Sequence, residues 1–272
     1  MNKTELFGFL EEIGARPYKG LSQNFLVDLD VLRKIIALAE IKPGDRVLEI
    51  GPGPGSLTKE LLAAGVHVFA VEKDRLFAHH LPRLQTADGR LQVRCADILE
   101  FNLLTLPTGP FKVVANLPYN ITSPILEILC KNASLFSSFT LMVQKEVADR
   151  IAAKPSTKAF GSLTLFLQFY ARVYDSFLVK PGSFYPSPSV DSTVIRLDTC
   201  KSPEIDHEVL FSFIRKAFQQ RRKMLTSTLG KEVGIVLEEL HLSNKARPEE
   251  LSLDQWVALV RLLKAGSTSS SE

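Results

Sequence analysis

The tetrapeptide Asn116-Leu117-Pro118-Tyr119 joins an amide side chain, a proline-stiffened backbone and an aromatic ring. Those parts suit one difficult reaction, alkylation of the exocyclic nitrogen of adenine. That nitrogen is a poor nucleophile because its lone pair is delocalised into the ring. Two acceptors that take its N–H hydrogens favour a pyramidal nitrogen and free the lone pair. The Asn116 side-chain oxygen and the Leu117 carbonyl are the candidate acceptors, and Tyr119 offers a ring for the base to stack on. In-line attack on a methyl donor then needs no metal, and positioning and electrostatics supply most of the catalysis. A base inside a duplex is out of reach, so the adenine must be unpaired or flipped out. Downstream, the proline-rich segment 181–190 predicts a rigid extended loop, and Phe184 is the candidate for a second stacking ring. The alternative for Phe184 is a plain core residue, the usual fate of an isolated Phe.

The loop Gly51-Pro52-Gly53-Pro54-Gly55 is the second feature with chemistry in it. Glycine lets the backbone approach a ligand closely and adopt positive φ. Glu72 ends the next predicted strand, where a carboxylate can accept from both hydroxyls of a ribose. Asp97 ends the strand after that and could accept from an adenine amino group or cap a helix. A nicotinamide dinucleotide would fit Gly51, Gly53 and Glu72. Its fingerprint, however, puts the third glycine where this chain has Ser56. G-x-G-x-G after an acidic strand end resembles instead the S-adenosylmethionine-dependent methyltransferases. That resemblance implies S-adenosylmethionine as cofactor and S-adenosylhomocysteine as product.

These residues need a frame that brings strand ends together. Strand–helix alternation runs from a helix at Asp28–Glu40 through short strands at 46–50, 66–71, 91–95, 112–115 and 139–143. Ser56 is the expected cap of the helix that follows the glycine loop. Such alternation predicts an α/β fold with a doubly wound, mostly parallel sheet, a Rossmann-like methyltransferase domain over residues 1–199. Residues 163–173 are apolar but ambiguous, and 192–197 read as a last strand. Past Cys200 only helices are expected, the first running from Asp206 to about Leu229. This gives a small all-helical domain over 200–265, followed by a disordered tail at 266–272.

The first of those helices carries Arg215, Lys216, Arg221, Arg222 and Lys223 with no acid among them. At about 100° per residue, Arg215, Lys216, Arg222 and Lys223 share one face, suited to phosphate. A merely solvated face is the alternative. Arg221 falls in the apolar arc, so it must pair with an acid, snorkel, or sit past a break in the helix.

Composition sets the outer bounds. The 272 residues are 45% apolar and 23% charged with a net charge of +3, which is ordinary globular composition. Three scattered cysteines support neither a zinc site nor a disulfide frame. No run of apolar residues is long enough for a membrane span, and the first residues resemble no signal segment. The expectation is a cytoplasmic, metal-free protein, a monomer.

Together these pieces resemble the KsgA-type small-subunit ribosomal RNA adenine dimethyltransferases, from about Gly20 to Leu263. The resemblance rests on Ser22-Gln23-Asn24-Phe25-Leu26, the Gly51–Gly55 loop, Glu72, Asp97, Asn116–Tyr119, Phe184-Tyr185-Pro186-Ser187-Pro188 and Gln220-Arg221-Arg222-Lys223. It implies that Asn24 and Leu26 help close over the cofactor, and that Gly51, Glu72, Asp97 and Asn116 line its pocket. It also implies dimethylation of two adjacent adenines in a hairpin loop near the 3′ end of small-subunit rRNA, within a small subunit or its precursor, and a part in subunit biogenesis. Three other readings share features with it: a large-subunit rRNA methyltransferase of the antibiotic-resistance type, a non-catalytic ribosome-assembly factor on the same fold, and a protein-glutamine methyltransferase. Segment 181–190 and the Gln-Arg-Arg-Lys element lean against the first. Intact Asn116, Glu72 and Asp97 weigh against the second. Leucine at 117 disfavours the third, which prefers Asn-Pro-Pro-Tyr.

Overall fold

The computed structural model describes residues 1–17 and 23–268. Lys19, Gly20, Leu21 and Ser22, where the family resemblance begins, lie outside the described residues. The strands are β1 (Phe25–Leu26), β2 (Arg46–Ile50), β3 (His67–Glu72), β4 (Leu91–Cys95), β5 (Phe111–Asn116), β6 (Phe136–Gln144), β7 (Ala171–Val179), β8 (Phe184–Tyr185) and β9 (Ser192–Thr199). The helices are α1 (Lys3–Glu12), α2 (Leu29–Leu38), α3 (Ser56–Ala63), α4 (Arg75–His80), α5 (Thr122–Lys131), α6 (Lys145–Ile151), α7 (Ser162–Tyr170), α8 (His207–Phe218), α9 (Leu225–Leu229), α10 (Glu232–Glu239) and α11 (Leu253–Thr268).

Seven strands form one sheet in the order β4-β3-β2-β5-β6-β9-β7. β2 pairs in parallel with both β3 and β5, β4 and β6 extend the parallel run, and β9 joins β6 antiparallel. Chain order therefore reverses between β2 and β5, and the crevice at such a switch point is where open α/β sheets bind ligands. Val47, Leu48 and Ile50 of β2 are at most 2% exposed, as a central strand covered on both faces must be. β1 and β8 form a separate antiparallel pair, Phe25 opposite Tyr185 and Leu26 opposite Phe184. That pairing lays the Gln23–Leu26 segment beside the proline-rich loop.

The chain divides into two units, and the division departs from a cut at 199. One holds Met1–Ala148 and Arg172–Thr199, the other Asp149–Ala171 and Cys200–Glu272. The reason is burial. Phe160, Leu165 and Phe169 share one apolar core with Leu210, Phe211, Ile214, Leu225 and Trp256. The ambiguous stretch 163–173 thus resolves as α7 running directly into β7.

Three further expectations are corrected. Gly55, in the left-handed region at φ 86°, is the N-cap of α3, and Ser56 is already helical. The helix expected from Asp206 to Leu229 stops at Phe218, turns, and restarts as α9. An unbroken helix would drive Arg221 into the core, whereas the turn lets Leu225 be fully buried instead. Helix α11 continues through Thr268, so 266–268 are helical rather than a loose tail, and 269–272 lie outside the described residues.

Candidate active site

The carboxyl ends of β2, β3 and β5 and the turn after β4 surround a cleft whose lining includes Leu26, Gly51, Gly53, Glu72, Asp97 and Asn116. Gly51 and Gly53 have φ of 64° and 54°, a region that disfavours any residue with a Cβ. A Cβ at Gly51 would meet nothing within 4 Å, so the bare backbone of the loop faces open space there. Gly55 does not line the cleft. A Cβ there would stand 2.6 Å from Leu84 and 2.8 Å from Leu81, so its role is close packing at the helix start.

Glu72 is nearly buried, and two backbone N–H groups fix its carboxylate. Gly53 donates to Oε2 at 2.8 Å and Asp74 to Oε1 at 2.7 Å. Burial raises its pKa, and those donors oppose the rise. Each oxygen keeps acceptor capacity beyond the one bond it makes. Asp97 caps a turn and also stands on the cleft wall. Its Oδ1 accepts from the Leu99 N–H at 3.0 Å, as a turn cap does, and it lines the cleft. Its Oδ2 is paired with Lys73 Nζ at 2.6 Å, and that partner holds the carboxyl below its ordinary range.

Two residues of this cleft were not read as site residues from the sequence. Glu49, on β2, is 1% exposed, and its Oε2 has no hydrogen-bond partner among the described residues. Burial, with the Glu72 charge nearby, pushes its carboxyl up to about 8, against the Thr58 hydroxyl that lowers it. Ser56 Oγ is buried and unpartnered as well. Buried polar atoms left without a partner on the wall of a cleft are available to a polar ligand. The acidic residue two places before Gly51 was a sequence signal for Glu49; nothing comparable marked Ser56.

Asn116 closes β5 at the mouth of the cleft. Its Nδ2 donates to the Asn24 carbonyl at 3.0 Å, which commits the amide nitrogen and leaves the side-chain oxygen as the available acceptor. Leu117 is buried and ties back to β6 through its N–H on Met142 O at 3.1 Å. Pro118 has φ −60° and ψ 125°, holding the loop extended. The Tyr119 hydroxyl lies 2.6 Å from Ser192 Oγ, which anchors the ring to β9, and burial raises its pKa.

A second groove meets the cleft at this loop, with Gln23, Asn24, Tyr119 and Asn120 lining both. The expected second ring is not there. Phe184 is 3% exposed and belongs to the sheet core with Leu26, Val179 and Val194. In the two-residue strand β8 neighbouring side chains point to opposite faces, and it is Tyr185 that lines the groove.

The basic residues lie in the other unit, and they are not equivalent. Lys216, Arg222 and Lys223 are exposed, and Arg215 is 3.6 Å from Glu208. Arg221 is instead engaged within the fold. It pairs with Glu249 and donates to the carbonyls of Lys158 at 2.8 Å and Thr157 at 3.1 Å. Of the options open to it, pairing past a helix break is the one realised, which removes it from the phosphate-facing set. Among the described residues no cluster of His, Cys, Asp or Glu could hold a metal ion, and no helix is long and apolar enough to cross a membrane.

Comparison with known proteins bears on the same residues. Residues 16–265 match the family described as ribosomal RNA adenine dimethylase. The chain is 44% identical over 268 residues to the Ribosomal RNA small subunit methyltransferase A of Protochlamydia amoebophila (strain UWE25), covering 94% of each. Among solved structures it resembles a dimethyladenosine transferase from Plasmodium falciparum, with TM-score 0.77 and 26% identity over 89% of this chain and 98% of that one. It also resembles the 23S rRNA methyltransferase ErmE, with TM-score 0.69 and 26% identity over 89% of this chain and all of that one.

Proposed function

The chain belongs to the ribosomal RNA adenine dimethylase family, and from that membership we propose that it dimethylates N6 of two adjacent adenosines in a hairpin loop near the 3′ end of small-subunit ribosomal RNA. The methyl groups come from S-adenosylmethionine, and the substrate is a small subunit or its precursor in the cytoplasm. The observation that carries the mechanism is the Asn116 amide pinned to the Asn24 carbonyl where cleft and groove meet.

The cleft suits that cofactor. Its unfilled polar groups are mostly acceptors: Glu49 Oε2, the remaining lone pairs of Glu72 and Asp97, and the hydroxyl of Ser56. S-adenosylmethionine presents the matching donors in its ammonium, ribose hydroxyls and adenine amine. When bound, it supplies an electrophilic methyl group. Glu72 would hold the ribose, Asp97 the adenine amine, and the Gly51–Gly53 backbone, Asn24 and Leu26 would enclose the rest.

In the first transfer Asn116 Oδ1 and the Leu117 carbonyl accept from the two N6 hydrogens and draw the lone pair out of conjugation. In the second, the single N–H left on N6-methyladenine engages one of them, and each transfer releases one N6 proton to water. Pro118 keeps the two acceptors in register. Tyr119, tethered to Ser192, stacks on the base. Lys216, Arg222, Lys223 and, with its charge shared with Glu208, Arg215 contact phosphates. A large-subunit specificity is disfavoured by the 44% identity to a small-subunit enzyme, and a purely structural assembly factor by the complete cleft. The reading is tested with labelled S-adenosylmethionine and unmethylated small and large subunits, followed by nucleoside analysis. Label in N6,N6-dimethyladenosine from the small subunit alone is expected. Label in the large subunit would transfer the chain to the resistance-type activity.

A further inference from the structure

Helix α1 stands ahead of the family-matched span, which begins at residue 16, yet it is built firmly into the fold. Asn2 and Glu5 close a capping box, with bonds of 2.9 and 2.7 Å. Leu6, Phe9 and Leu10 are buried in a small core with Phe25 and Phe77. The Arg83 guanidinium sits 3.7 Å from the Phe9 ring centroid and donates to the Pro54 carbonyl at 2.6 Å, which links the helix to the glycine loop. We infer that α1 forms one wall of the substrate groove, and that Phe7 and Tyr185 together stack an unpaired base next to the target adenine.

The groove is lined by Phe7 and Glu11 of α1, by Asn120 and Gln144, and by Tyr185 and Ser187. It shares Gln23, Asn24, Tyr119 and Asn120 with the cofactor cleft, so it leads to the catalytic loop. Phe7 is 41% exposed although Leu6, Phe9 and Leu10 of the same helix are buried. Its ring meets Tyr185 edge-on at 4.6 Å, and Lys3 Nζ lies 5.7 Å from both ring centroids. Antiparallel pairing with Phe25 fixes Tyr185 in this position. Two rings, a cation and a row of amides and hydroxyls are the equipment of single-stranded nucleic-acid recognition. Glu11 on the same wall repels phosphate, so this wall takes a base face, and the backbone runs on the side of Arg16. α1 then grips the loop strand beside the reacting nucleotide.

The inference rests on the proposed function, and its test separates the two. With intact enzyme and unmethylated small subunits, Phe7→Ala and Phe7→Leu should each raise the apparent KM for subunits roughly five- to tenfold. Phe7→Tyr should keep it near wild type, and the melting temperature and S-adenosylmethionine affinity should not move. A wild-type KM for Phe7→Ala, or rescue by Leu equal to that by Tyr, would overturn the stacking role. If the wild-type protein methylates no subunit, the proposed function fails. The groove is then read directly, by anisotropy of a short labelled oligoadenylate RNA on the cofactor-loaded protein. Weaker binding by Phe7→Ala upholds the inference, and unchanged binding rejects it.

Discussion

Asn116 is asked to act as an acceptor, and its partner makes that claim sharp. Asn116→Ala removes the Oδ1 acceptor and should cut kcat by about 10²-fold or more, the scale of losing one positioned polar group at a reacting centre. Cofactor binding should remain measurable. Asn116→Asp should fail too, because a carboxylate cannot donate to the Asn24 carbonyl and would face it with like charge. A general base would behave oppositely, with Asp the better residue. Glu49 gives a second test. Its carboxyl is raised to about 8 in the fold from 4.5, so the unfolded chain releases the proton first. The contribution to stability is present below pH 4.5 and is lost as pH rises towards 8. Glu49→Gln should therefore raise the melting temperature of the cofactor-free protein more at pH 8.5 than at pH 5, by calorimetry at both. Gly51, Glu72, Asp97 and Asn116 were legible in the sequence because chain order alone places successive strand ends along one sheet edge. Glu49 was signalled only by its place before Gly51, and Ser56 not at all, because both stand out through missing hydrogen bonds, which spacing does not encode. Phe184 and Tyr185 differ only in strand parity, and that is set by pairing with β1, a contact distant in sequence.

At the scale of elements the end of α8 decides what the basic run does. Periodicity carried the helix through Arg221, and the conflict it created, a cation in the apolar arc, was itself the sign of a break. The turn at 219–224 resolves it by giving Arg221 the Glu249 carboxylate and two carbonyls. Arg221→Ala should destabilise by about 1–2 kcal/mol, discounted because the side chain is partly exposed. Arg222→Gln with Lys223→Gln should leave the melting temperature alone. It should instead reduce the slope of log K against log salt for RNA binding by about 1.4–1.8, the release expected for two phosphate contacts. If the Arg221 variant were to shift the slope and not the melting temperature, the two roles would be exchanged. Helix α1 also left a trace in the sequence: Asn2 and Glu5 at capping-box spacing before Leu6, Phe9 and Leu10. It is short and weakly amphipathic, and its burial depends on Phe25 and Phe77, which only the fold brings near.

At the scale of the molecule, fold and specificity separate. The frame is shared at TM-scores of 0.77 and 0.69 with a dimethyladenosine transferase and a 23S rRNA methyltransferase, at equal identity, so architecture does not choose the subunit. Sequence likeness does. The partition into units was legible only in the last of its three boundaries, at Cys200, where composition turns helical. Its other two boundaries, at Asp149 and Arg172, are hidden because Asp149–Ala171 leaves one core for the other in the middle of a strand–helix alternation, and a linear reading has no reason to interrupt that pattern. The interruption has a testable consequence. A fragment cut at 199 keeps Phe160, Leu165 and Phe169 but loses Leu210, Phe211, Ile214 and Trp256, against which they are buried. Such a fragment should bind a hydrophobic dye and aggregate, since it bares a contiguous apolar patch. A fragment ending at Thr199 in which Asp149–Tyr170 is replaced by a short Gly/Ser linker keeps the whole seven-stranded sheet. It should remain monomeric, show native near-UV dichroism and still bind S-adenosylmethionine. Aggregation of both fragments alike would mean that the strand-bearing unit needs the helical one to fold, and that the boundary at Asp149 is one of packing rather than of autonomy.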